Sequence, residues 1–216
     1  MTSLTWACVA LAAVCAVADW VGVWRQRDLI IYLCKPAVMV ALIAAVVVMP
    51  DLPSALRWAV VVGQLGGLAG DVALMRGHFL PGAAAFGVGH VAYIVAWLPY
   101  FTFGWSALIG LVIFAAVVGV VGRSVVTATW RRSHTLGRIV AIYQVLLGAM
   151  MVVECGTSNA LLAVAAVTFA ASDTLLGWSR FVREVPQLRV VVHITYHCAQ
   201  IGIVVALPLL VAASSG

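Results

Sequence analysis

Runs of about twenty apolar residues, broken by short polar punctuation, repeat along nearly the whole chain, and that is the pattern of membrane-spanning helices. Eight such runs are legible, at 4–24, 29–49, 57–75, 80–101, 105–122, 138–155, 159–178 and 189–210. The breaks carry turn or charge chemistry: "RQRD", "PDLPS", "RGHFLPG", "TFG", the longer "RSVVTATWRRSHTLGR", "CGTSN" and "SRFVREVPQLR". Loops this short force consecutive helices to be antiparallel neighbours. The expectation is an all-α polytopic bundle forming a single integral membrane domain over residues 1–216. The N-terminal run carries an Ala16-x-Ala18 pair but no Lys or Arg before it, so it reads as a retained helix and not as a cleaved leader.

Composition sharpens this. The 216 residues are 65% hydrophobic and 9% charged, against about 25% charged in a soluble domain. The net charge of +5 does not mark a nucleic-acid binder, because the arginines sit in loops between apolar runs and no nucleic-acid motif accompanies them. They mark topology instead. Arg25, Arg27, Arg76, Arg123, Arg131, Arg132, Arg138, Arg180, Arg183 and Arg189 all fall at odd-numbered loops, and Arg57 alone falls at an even one. The positive-inside rule then places the odd loops in the cytoplasm and both termini outside a bacterial-type plasma membrane. The five cysteines are scattered with no CxxC spacing and read as small packing residues.

An internal repeat underlies the pattern. "AGDVALMRGHF" (Ala69–Phe79) parallels "ASDTLLGWSRF" (Ala171–Phe181), and downstream "HVAY" parallels "HITY". Spans three and four thus echo spans seven and eight. A four-span unit duplicates in the same orientation, so two parallel halves, about 4–101 and 105–210, are expected around an axis along the membrane normal.

Polar residues inside these spans are the candidate chemistry. Asp19, Lys35, Asp71, Tyr143, Asp173 and His193 lie four to seven residues inside the nearest arginine-rich boundary, a depth of about 6–11 Å at helical rise. They form one layer in the cytoplasmic half, with His90 deeper. Glu154 and Asp51 are the main acids of the outer half, both at loop edges. An aspartate in a span costs about 3 kcal/mol on insertion scales and faces a cavity or a partner. Asp71 and Asp173, at equivalent points of the repeat, are expected to converge in a shared site. Lys35 offers a counter-charge for one of them. The glycines before Asp71 (Gly66, Gly67, Gly70) read as a close-packing face. His193 and His197, one helical turn apart, also suggest a zinc reading in which His90 completes the ligands, although the motif lacks the glutamate of HExxH.

"CKPAVM", "GDVALM", "GHVAY", the early Tyr143 of span six, "SDTLL" and "TYHCAQ", in that order from about residue 18 to 200, resemble the YhhN family of multi-pass lysoplasmalogenases. The resemblance implies hydrolysis of the sn-1 vinyl ether bond of a lysophospholipid, releasing a fatty aldehyde and a glycerophospho-alcohol, without a cofactor or metal. Lys35, Asp71, His90, Tyr93, Asp173, Tyr196 and Gln200 fall on polar positions of the family's pattern, whereas His197 and Cys198 are variable there.

The residues suit that chemistry. Vinyl ethers open by protonation at carbon and need a general acid and a nearby negative charge, which two close carboxyl groups in a dry site supply. Asp71 and Asp173 are the candidate catalytic pair. Lys35 would hold one carboxylate or bind the substrate phosphate; His90, Tyr93, Tyr143, His193, Tyr196, Gln200 and Asp19 would orient substrate or water. The lipid headgroup is expected toward the basic loops. A proton-coupled transporter or lipid flippase, which would continue polar residues to the outer face, and a zinc-dependent lipid hydrolase using His90, His193 and His197 are the competing readings.

Overall fold

A computed structural model describes residues 1–214 of the chain. They form α1 (Ser3–Trp24), α2 (Asp28–Val48), α3 (Ser54–Met75), α4 (Phe79–Trp97), α5 (Trp105–Val117), α6 (Arg123–Arg132), α7 (His134–Gly156), α8 (Ala160–Phe181) and α9 (Pro186–Ser214). There is no strand among the described residues. Eight helical segments are long and apolar enough to cross a membrane, α5 and α6 counting as one.

The long fifth loop expected from sequence is instead helix. A π-turn at Val118–Gly122 joins α5 to α6, so the helix runs unbroken from Trp105 to Arg132. Loss of hydrophobicity here marks where the helix leaves the apolar layer and not where it ends. The chain turns only at Ser133, extended at φ −165°, whose hydroxyl caps α7 through the Leu136 N–H. The Gln144 side-chain amide donates to the Gly122 carbonyl (3.3 Å) at the wide turn, the kind of side-chain insertion that accompanies such bulges.

Successive helices pack as hairpins, α1 on α2, α3 on α4 and α8 on α9, while α4 abuts α7 and α9 returns to α1. The distribution of polarity is inverted relative to a soluble protein. Leu11, Val40, Val95, Val112 and Val164 are exposed, whereas Asp19, Asp71, Glu154 and Gln200 are at most 1% exposed. Lipid solvates the former, and only partners inside the bundle can satisfy the latter.

Arg57, the one arginine at an even loop, is a cap: it donates to the carbonyls of Val46 and Val47 at the end of α2 (2.8 and 2.6 Å). At the opposite end Arg132 donates to the Phe181 carbonyl (3.2 Å) and Arg180 lies over the Phe79 ring, so α4, α6 and α8 meet there. Phe79 and Phe181, equivalent positions of the sequence repeat, touch edge to face at 4.9 Å.

The glycine face of α3 brings its backbone against that of α4. A Cβ at Gly66 would stand 2.7 Å from the Ala85 carbonyl oxygen and 2.8 Å from the Gly89 Cα, both backbone, which cannot yield as a side chain can. Gly66→Ala is therefore expected to lower stability by about 1–3 kcal/mol, read as a fall in thermal unfolding temperature in detergent. An unchanged unfolding temperature would contradict the backbone contact.

Candidate functional site

The inward polar residues gather into two adjoining clusters. In the first, Lys35 of α2 ion-pairs with Asp71 of α3 (Nζ–Oδ1 2.9 Å), with Asp71 almost fully enclosed. The ammonium also lies over the Tyr196 ring of α9, 5.5 Å from its centre. Tyr196 is brought to this place by Gly67: a Cβ there would sit 2.9 Å from the Tyr196 hydroxyl and 3.4 Å from the Gln200 amide. Lys35 thus takes the first of its two expected roles, counter-ion to a carboxylate. Pro36 beside it removes a ladder donor within α2.

In the second cluster the Tyr143 hydroxyl of α7 donates to Asp173 Oδ2 of α8 (2.5 Å). His90 of α4 places its Nε2 3.7 Å from the same oxygen and packs against Tyr143 and Phe169. Both aspartates are therefore held by a side chain from the preceding span, Lys35 for Asp71 and Tyr143 for Asp173.

Asp71 and Asp173 share no hydrogen bond among the described residues. The Tyr196 ring contacts both Phe86 and Phe169, and its hydroxyl donates to the Met39 sulfur (3.5 Å). The two carboxyl groups expected to converge thus have separate partners, Lys35 for Asp71 and Tyr143 and His90 for Asp173.

Asp19 and His193 form a third contact. His193 Nδ1 donates to Asp19 Oδ2 (2.6 Å), and His197 Nδ1, 3.8 Å from that oxygen, accepts from the Trp20 indole (3.1 Å). The zinc set is not assembled. His90 faces α7 and α8 while His193 and His197 face α1, and no three His, Cys, Asp or Glu side chains are grouped as metal ligands among the described residues.

Polar residues are also not confined to one layer, contrary to expectation. The Tyr93 hydroxyl donates to Gln200 Oε1 (2.7 Å), Tyr93 stacks on Trp97, and the Trp97 indole donates to Glu154 Oε1 (2.9 Å). Glu154, at the loop edge two residues from the end of α7, is fully buried there, as is Gln64. Gln64 stands two turns before Asp71 on the same helix, a spacing that was legible; the burial of Glu154 required knowing that α4 and α7 adjoin.

Asp173 and Tyr143 lie at the wall of a cleft that Gln144 and Thr174 also line and whose remaining walls are apolar, with Phe86, Leu147, Val140 and Phe181 among them. Apolar walls with a few convergent polar groups are the usual make-up of a small-molecule or lipid site.

An all-helical integral membrane protein with inward-facing carboxyl groups, one of them at a largely apolar cleft, is the class these features define. The chain belongs to the YhhN family, whose model matches residues 30–207. Asp19 and Trp20 lie before the matched stretch. No curated protein and no solved structure matches the chain.

Proposed function

We propose that the protein is an intramembrane hydrolase of single-chain vinyl ether phospholipids, the activity associated with the YhhN family. The observation that carries this reading is the unlike setting of the two carboxyl groups. Asp71 is matched to an ammonium. Asp173 is matched to a phenol and an imidazole and borders the cleft. The pair thereby divides into a fixed negative charge and a proton carrier, the two components that vinyl ether cleavage needs.

In this reading Asp173 transfers a proton to the vinyl carbon further from the ether oxygen, through Oδ1, since Oδ2 accepts from Tyr143. The resulting oxocarbenium ion is stabilised by the Asp71 carboxylate. Water adds to the cationic carbon and returns a proton to Asp173. The hemiacetal then collapses to aldehyde and glycerol hydroxyl, and no covalent enzyme intermediate forms. The two carboxyl groups, each held by its own half of the chain, fit a duplicated parallel four-helix unit, with the basic ends of the helices in the cytoplasm.

The test is a panel of vinyl ether, alkyl ether and acyl lysophospholipids given to purified protein. Aldehyde release from the vinyl ether alone is expected. Cleavage of the acyl lipid with no aldehyde from the vinyl ether would overturn the reading.

One observation favours a second reading, proton-coupled transport. The Tyr93–Gln200 and Trp97–Glu154 pairs extend the polar interior toward the far end of α4 and α7. Proton flux in proteoliposomes that is lost in Glu154→Gln while lipid hydrolysis persists would establish it.

A further inference from the structure

Arg123, Thr127 and Arg131 stand four residues apart on α6 and therefore on one helix face. With Ser124 they line an open groove whose opposite wall is Phe181 and Val182, at the end of α8. No acidic side chain lines it. The neighbouring basic groups are already committed: Arg132 to the Phe181 carbonyl and ring, Arg180 to the Phe79 ring. Arg123 and Arg131 make no ion pair among the described residues. Gly119, where a Cβ would meet nothing, leaves one end of the groove open, and the π-turn directly precedes Arg123.

The groove adjoins the apolar cleft. Phe181 walls both, and Asp173 lies two helical turns before it, about 12 Å along α8. An arginine side chain spans much of that distance and a glycerol backbone the rest. A molecule with its reacting bond at Asp173 and its chain toward Phe86 and Leu147 would bring its polar end past Phe181 to the groove. Two free guanidinium groups flanked by hydroxyls recognise a phosphate diester by charge-assisted hydrogen bonds.

We propose that the α6 groove is a phosphate subsite in which Arg123 and Arg131, with Ser124 and Thr127, hold the headgroup phosphate of the lipid whose ether bond lies at Asp173. The proposal rests on the hydrolase reading for what occupies the cleft, not for the anion chemistry of the groove. Lys35, spent on Asp71, does not serve the phosphate.

The experiment compares wild type, Arg123→Gln/Arg131→Gln and Arg123→Lys/Arg131→Lys in phosphatidylcholine nanodiscs. Two substrates are used, lysoplasmenylethanolamine and the phosphate-free 1-alkenylglycerol. A parallel arm measures displacement of a fluorescent alkyl-ether lysophosphatidylethanolamine. The glutamine pair is expected to raise KM, and the dissociation constant of the probe, about 10–100-fold for the phosphate lipid. It should leave kcat, and all parameters for alkenylglycerol, near wild type; the lysine pair should recover part of the loss. Equal losses on both substrates, or none, would overturn the subsite. Inorganic phosphate displacing the probe as effectively as the unlabelled lipid would mean a free-anion site and overturn the headgroup assignment. If wild type turns over neither substrate, the hydrolase reading fails, and the displacement arm still decides the subsite by whether the glutamine pair loses the phosphate lipid selectively.

Discussion

Asp173→Asn is expected to fold normally and to lose about 10²–10⁴-fold in kcat on a vinyl ether lysophospholipid, the range a general acid supplies. Asparagine keeps the shape of the side chain and still accepts the Tyr143 hydroxyl through its amide oxygen. It has no proton that it can release to carbon. KM should move little, because the group acts when the proton transfers and not when the lipid binds. Asp71→Asn removes the charge facing the cation and should also abolish turnover, though it strands the Lys35 ammonium and costs stability as well. Aldehyde release and thermal unfolding measured on the same preparations separate the two effects. Full activity in both variants would end the carboxyl-pair mechanism.

Lys35→Met is expected to be the most destabilising single change, by about 3–5 kcal/mol, because it leaves Asp71 buried and uncompensated. Asp71 is only 1% exposed and its Oδ2 has no hydrogen bond of ordinary length among the described residues. The paired variant Lys35→Met/Asp71→Leu removes both charges and should recover most of the lost stability while remaining inactive. The signature is thus a double-variant cycle in which unfolding temperature returns and turnover does not. If Lys35→Met alone unfolds like wild type, the ion pair is not what holds Asp71 in the apolar interior.

Lys35 with Asp71 and Tyr143 with Asp173 join adjacent helices in pairs, though Asp71 keeps its Oδ2 without a hydrogen bond of ordinary length among the described residues. Gln64, Glu154, His90 and Gln200 retain buried atoms without a hydrogen-bond partner among the described residues. Such atoms are costly in an apolar medium. The hydrolase and transport readings make different demands of Glu154, and Glu154→Gln is the variant that tells them apart.

Much of this was readable from residue order. Twenty-residue apolar runs have one solution in a bilayer, because every backbone N–H and C=O must be satisfied within its own helix, so the eight spans and their antiparallel order follow. Charged residues inside such runs cannot be incidental, and that singled out Asp19, Lys35, Asp71 and Asp173. Hydropathy misread the stretch 123–138 because it reports depth in the membrane and not backbone conformation: α6 stays helical after it turns polar.

Tertiary structure alone decided which polar group meets which. That Lys35 serves Asp71, that Tyr143 and His90 serve Asp173, and that His193 turns to Asp19 away from His90 depend on helix rotation and contact order around the bundle. Those are set by close approaches such as Gly66 on Gly89, whose effect depends on the facing helix as much as on the glycine itself. A buried charge requires a partner for reasons any sequence reveals; which partner it finds is a property of packing, since several helices offer candidates at the same depth.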